Sequence, residues 1–194
     1  MSRSLRALVL LMLVAACGRG GGLGESPSGL DNACTILNQR PGYLRAFRAT
    51  ERKWGVPVHV QMATIYQESK FDSDARTPLR YTLGIIPTGR QSSAFGYSQA
   101  LDGTWDEYLV DQGRGRARRD NIRDATDFMG WYMNGSRERL GISLSDTRNQ
   151  YLAYHEGRTG YKRGSYRNKP WLMRVSGELE SRAVMYRRQL RRCG

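Results

Sequence analysis

Val58-His59-Val60-Gln61-Met62-Ala63-Thr64-Ile65-Tyr66-Gln67-Glu68-Ser69 is a run of apolar residues at helical spacing that ends on an acid. At about 100° per residue, Val58, Met62, Ile65, Tyr66 and Ser69 share one face, and Glu68 lies at its margin beside Ile65. A carboxyl half withdrawn from water loses hydration of its charged form, so the placement predicts a pKa raised from about 4.3 towards 6. That is the protonation state required of a general acid acting on a poor leaving group. A single glutamate in a last helical turn is by itself more often an exposed surface residue. Two further segments change that balance: Phe95-Gly96-Tyr97-Ser98-Gln99-Ala100 and Tyr151-Leu152-Ala153-Tyr154-His155-Glu156-Gly157.

Outward from this run, helical periodicity dominates. Leu44 to Trp54 carries Leu44, Phe47 and Trp54 and stops at Gly55 and Pro57. Thr104 is expected to cap a short helix through Asp111. Asp120 to Leu140 places Ile122, Ala125, Phe128, Met129 and Tyr132 at three- and four-residue spacing, and Ser145 or Asp146 opens the helix carrying Tyr151 and Tyr154. Pro170 suits the first turn of a last helix. Strand alternation occurs only in short pieces such as Tyr81 to Ile86, inside a stretch over 78–92 that reads as a hairpin or a lip. The expected fold is mainly α, one domain with a small irregular or β-hairpin region. Most of the tyrosines and tryptophans read as packing residues, Trp131, Trp171 and Tyr186 among them; Tyr97 and Tyr154 are the two expected to line a groove.

Glu68-Ser69, Gly96-Tyr97-Ser98-Gln99 and Ala153-Tyr154-His155-Glu156-Gly157 resemble three ordered motifs of lytic transglycosylases with a soluble-transglycosylase (SLT) catalytic domain. In that family they usually read Glu-Ser, Gly-Leu-Met-Gln and Ala-Tyr-Asn-Ala-Gly. The resemblance runs from Asn32 to Cys193, and the form with Gly-Tyr-Ser-Gln-Ala and Ala-Tyr-His-Glu-Gly is similar to a subgroup of small, basic lipoproteins. It implies a lysozyme-like fold of the goose-lysozyme type and cleavage of the MurNAc-β-1,4-GlcNAc bond of peptidoglycan. Glu68 would act alone, first as acid and then as base, with the muramyl 6-hydroxyl attacking C1 to leave a 1,6-anhydro end. Thr77, Tyr97, Ser98, Gln99 and Tyr154 would contact substrate. Tyr97-Ser98 and His155-Glu156 depart from the family pattern, and Thr77 also reads as a loop residue bonding its own backbone.

Other chemistries fit less well. Asp72 and Asp74 read as loop residues without a clear claim to be the second carboxylate of a two-acid glycosidase, and a muramidase of the same fold is the alternative reading. Ser98 followed by His155 mimics the order of a serine hydrolase, but Gln91-Ser92-Ser93-Ala94 is no buried strand and cannot precede a nucleophile elbow. A non-catalytic peptidoglycan-binding lipoprotein would not need the intact Glu68-Ser69 pair. His59 and His155 lack ligand spacing to cysteines, so no metal site is read, and no cofactor is implied.

The N-terminus reads as a processing signal over residues 1–16: Arg3 and Arg6, an apolar core from Ala7 to Ala16, and Ala15-Ala16-Cys17 as a lipobox. The apolar run falls short of the roughly 20 residues that span a bilayer. Cys17 is therefore the expected lipidation site, and Gly18 after it favours the outer membrane, facing the periplasm. Residues 17–31 form the expected tether, and 32–194 the catalytic domain. With Cys17 acylated, Cys34 and Cys193 remain as a pair for a disulfide in an oxidising compartment. The net charge is +13, and loss of Arg3 and Arg6 lowers it by two, to +11. Much of the excess lies in Arg114–Arg119 and Arg187–Arg192. An exported protein meets cell-wall polymer and lipid phosphate rather than nucleic acid, so nucleic acid is not an expected partner.

Overall fold

The computed structural model describes residues 25–194. Seven α-helices follow in order: α1 Ala33–Gln39, α2 Pro41–Trp54, α3 Val58–Ser69, α4 Asp102–Asp111, α5 Ile122–Leu140, α6 Thr147–Arg163 and α7 Pro170–Cys193. A hairpin of β1 Leu79–Thr82 and β2 Ile86–Arg90 lies between α3 and α4, and a short 3-10 turn, Ser165–Asn168, links α6 to α7. The mainly helical expectation holds, and the stretch over 78–92 is a two-stranded antiparallel hairpin.

α3 is the axis of the fold. It packs against α2 and α7 and touches α5. The single apolar face expected of it is too narrow: Val60, Gln61, Ala63 and Thr64 are buried as well. Gln61 is accommodated inside because its amide donates to the carbonyls of Phe47 (3.0 Å) and Val56 (2.7 Å), and Thr64 donates to Val60 (2.9 Å). A buried polar side chain is tolerated when its donors are satisfied in this way. Surrounded by helices, α3 is held rigidly, and the residue at its end is fixed with it.

Capping explains several boundaries. Asn32, Asn121 and Asp146 cap α1, α5 and α6 with side-chain oxygens on backbone N–H groups. Asp146, rather than Ser145, therefore opens α6, and α5 starts after Asn121 rather than at Asp120. Thr104 does not cap α4, which begins two residues earlier after Leu101. α2 begins at Pro41, three residues before the expected Leu44, because a proline at N1 loses no bond.

Cys34 and Cys193 form a disulfide between α1 and α7, with Cα atoms 5.7 Å apart and a sequence separation of 159. The last part of the tether expected over 17–31 packs on the domain. Pro27 is buried, Ser26 bonds the carbonyl of Lys70, and the Leu30 carbonyl accepts from Arg182 and Tyr186. Residues 25–30 thus lie on the body of the domain. The signal segment, Cys17 and the rest of the tether lie outside the described residues.

The basic run from Arg114 is largely spent within the molecule. Arg114 bridges Asp124 (2.7 Å) and Asp127 (2.8 Å), Arg118 pairs with Asp120 (2.6 Å), and Arg119 pairs with Asp102 (2.7 Å). Burial would push Asp127 up, but hydrogen bonds from Tyr108, Trp54 and Lys53 outweigh it and hold its carboxyl below the usual range.

Candidate active site

Glu68 is the penultimate residue of α3 and only partly open to solvent. The chain turns sharply after it. Lys70 (φ 53°) and Phe71 (φ 64°) are both left-handed, an arrangement that costs energy for residues bearing a Cβ. The turn delivers Phe71, fully buried, onto the ring of Tyr43 at 6.0 Å. It also leaves Glu68 at a sharp edge where the helix stops.

Ser69 ties this edge to the second motif. Its hydroxyl bonds the carbonyls of Ile65 (3.2 Å) and Tyr97 (3.0 Å). Gly96 has φ 74°, and a Cβ there would sit 2.2 Å from the Arg119 carbonyl oxygen, so only glycine fits. The Gln99 side chain donates to the carbonyls of Ala75 (2.8 Å) and Gly96 (2.9 Å) from its own left-handed backbone (φ 48°). Gln99 therefore braces the loop rather than reaching from it.

The third motif closes the site from α6. Tyr154 donates to the Ser98 carbonyl at 2.7 Å, and its ring lies 5.2 Å from that of Tyr132. Tyr151, one turn earlier on the same helix, lies close enough to the Glu68 carboxyl for its hydroxyl to favour the charged form. Gly157 (φ 71°, ψ 157°) breaks the helical path just beyond this pair and lets α6 bend. The three motifs, far apart in sequence, are thus linked by Ser69 to Tyr97, Tyr154 to Ser98 and Tyr151 to Glu68.

Burial dominates the electrostatics and lifts the Glu68 pKa to about 7; the Tyr151 hydrogen bond and the Lys70 ammonium pull it part of the way back. Burial and the Glu68 carboxylate together push the Tyr151 and Tyr154 hydroxyls well up, so both act as neutral donors. Lys70, its amine 3.7 Å over the Tyr66 ring, is pulled down by desolvation and by Arg182. Glu156 is different. Burial would raise it, but Lys169 (2.7 Å), Ser165 and His155 (3.0 Å) hold it at about 2. It is a packing anchor between α6 and α7, always ionised at neutral pH.

The residue pattern Glu-Ser, Gly-x-x-Gln and Ala-Tyr converges on one half-buried acid, and a family model described as transglycosylase SLT domain matches residues 5–193. The chain belongs to the transglycosylase SLT domain family. No curated protein matches it. The seven helices and small antiparallel sheet agree with the lysozyme-like architecture of an SLT domain.

Within this SLT domain the expected contact residues divide. Tyr154 stands at the site, half-buried, beside Glu68. Tyr97 does not line a groove: it is 4 % exposed, its hydroxyl bonds that of Tyr43 at 2.9 Å, and its ring meets Tyr43 edge-on. Ser98 is wholly buried, so it offers its backbone carbonyl to Tyr154 and not its hydroxyl to a ligand. The same burial removes it as a nucleophile, and His155 bonds Glu156 and packs on Trp171 instead. Thr77 spans the hairpin base, donating to the Ser92 carbonyl (2.9 Å) and accepting from the Ser92 N–H (3.2 Å). Its hydroxyl thus bonds the backbone of Ser92 across the hairpin base and not its own. Tyr151 and Lys70 were not singled out by sequence as site residues. The three-residue spacing of Tyr151 from Tyr154 would have found the first, since both lie on one helical face.

A cleft of about 780 Å³ lies elsewhere, between α4 and α5, with Trp54, Trp131 and Arg158 in its walls. Glu68 is not among its residues, and the three motifs meet outside it.

Proposed function

We propose that this protein is a peptidoglycan lytic transglycosylase that cleaves the MurNAc-β-1,4-GlcNAc bond without water. The observation that carries the reading is the Glu68 carboxyl, raised to about 7 and coupled to Tyr151 and Lys70 rather than to a second acid. A pair of carboxylates across the bond would indicate a glycosidase; a lone proton-cycling acid suits intramolecular attack.

In this mechanism protonated Glu68 gives its proton to the glycosidic oxygen as the C1–O bond breaks. The N-acetyl carbonyl oxygen of the muramyl residue attacks C1 and holds the resulting cation. Glu68, now a carboxylate stabilised by the Tyr151 hydroxyl and the Lys70 charge, takes the proton of the muramyl 6-hydroxyl. That oxygen displaces the N-acetyl oxygen at C1, giving the 1,6-anhydro end and restoring protonated Glu68. Tyr154 contributes by fixing the Ser98 carbonyl, and with it the loop that faces the acid. Gln99 acts in the same way from the other end of the loop.

Digestion of purified cell-wall glycan followed by mass spectrometry tests this. 1,6-Anhydromuramyl ends are expected; reducing ends carrying oxygen from labelled water would make the protein a muramidase. A Glu68→Gln variant is expected to bind glycan and lose nearly all turnover. Retained activity would remove Glu68 from the mechanism, and binding without release by the unmodified protein would favour a non-catalytic role.

The cellular setting belongs to the same proposal. Acylation at Cys17 after cleavage of residues 1–16 would hold the domain on the outer membrane facing the periplasm, where peptidoglycan is within reach. Lost fatty-acid labelling in Cys17→Ala is the expected result.

A further inference from the structure

The hairpin β1–β2 is apolar where a soluble protein would be polar. All nine strand residues are exposed, and its packing is essentially strand against strand. Leu79, Tyr81, Leu83, Ile85 and Ile86 are 40 %, 55 %, 84 %, 77 % and 51 % exposed. Five large apolar side chains concentrated on one short hairpin are left uncovered by the fold, whereas scattered single exposures need no explanation.

The tip adds a second observation. Thr82 to Ile85 is a tight turn closed by Ile85 N–H to the Thr82 carbonyl (3.3 Å), with Leu83 at φ 54° and Gly84 at φ 75°. Such turns favour Asn, Asp or Gly at the first central position. Leu83 instead occupies a backbone conformation that disfavours it, and at 84 % exposure it gains no packing in return. The chain holds a bulky aliphatic residue outward at the most distant point of the hairpin.

Charge identifies the occupant. From Ala75 to Leu101 the chain contains Arg76, Arg80 and Arg90 and no acid. Arg80 and Arg90 sit on the strands, their guanidiniums bonding the carbonyls of Gln91 (3.2 Å) and Thr77 (2.7 Å) at the hairpin base. An aliphatic tip with cations set back from it matches the interface of an anionic bilayer: acyl chains below, phosphate above. A glycan strand presents hydroxyls and amides, for which Leu83, Ile85 and Ile86 offer no hydrogen bond. No described helix is long and apolar enough to cross a membrane, so the contact is peripheral.

We propose that the Leu79–Arg90 hairpin is a membrane-docking element that inserts Leu83 and Ile85 into the interface of an anionic phospholipid bilayer. Insertion would orient the domain on the surface, and it depends on no feature of Glu68 or its chemistry.

The test uses the full-length chain with an environment-sensitive fluorescent amino acid at Thr82, bound to phosphatidylethanolamine–phosphatidylglycerol vesicles. A blue-shifted emission, quenched by lipids carrying a shallow nitroxide, is expected. Leu83→Asp/Ile85→Asp should abolish both, at an unchanged thermal midpoint. Leu83→Gly, which suits the backbone and cannot misfold by strain, should weaken quenching at least twofold. Water-like emission from vesicle-bound protein, as a protein-docking hairpin would give, overturns the proposal. So does a blue shift that survives the double aspartate variant. Equal insertion into purely zwitterionic vesicles overturns the assignment to anionic headgroups.

Discussion

Glu68→Gln should make the protein more stable at neutral pH, and the gain should vanish in acid. The folded protein holds Glu68 with a pKa of about 7, against an ordinary value of 4.5 in the unfolded chain. Below about 4.5 the carboxyl is protonated in both states and contributes nothing. Between 4.5 and 7 the unfolded chain releases the proton while the folded one keeps it, so stability falls as pH rises. Above 7 both states are ionised and the penalty is constant. A difference of about 2.5 units at 1.36 kcal/mol per unit is about 3 kcal/mol. Glutamine keeps the shape and carries no charge at any pH, so the variant escapes this loss. Urea unfolding of both proteins, disulfide intact, at intervals from pH 4 to pH 8 measures it. The expected result is curves that coincide at pH 4 and separate by about 3 kcal/mol near pH 8. Parallel curves across the range would refute a raised Glu68 pKa, and with it the case for Glu68 as a general acid.

Tyr151→Phe removes a hydrogen bond that favours the Glu68 carboxylate, so the basic limb of the pH–rate profile should move to higher pH; a limb that stays put would deny the contact. Gly96→Ala forces a Cβ to within 2.2 Å of the Arg119 carbonyl at positive φ, and calorimetry should record a loss of about 3 kcal/mol or more. A near-neutral result would mean the loop is not pinned there. Cys34→Ser should lower stability by up to about 5 kcal/mol, because the bridge closes a loop of nearly the whole domain. An unchanged midpoint in oxidising buffer would show that α1 and α7 hold without it.

The acid and its three motifs were legible in sequence because each depends on local residue type and order. Glu68 at the end of an apolar helix, glycine where the loop turns, and Ala153-Tyr154 on a later helix are short-range patterns. The helical class follows from the same kind of signal: apolar spacing, Asn and Asp caps, Pro170 at a first turn. The cysteine pairing could be read because processing at Cys17 would leave two. Roles that depend on which way a side chain faces required the tertiary structure. Tyr97 and Tyr154 look alike in sequence, yet one bonds Tyr43 in the core and the other stands beside Glu68. Arg114 to Arg119 stand out in sequence as excess positive charge, whereas the fold sets Asp102, Asp120, Asp124 and Asp127 against Arg114, Arg118 and Arg119. The desolvation that raises Glu68 comes from helices on several sides of α3, which one helical face in the sequence does not reveal. Residue order carries local conformation; desolvation and pairing are set by neighbours distant in the chain, and only folding brings those together.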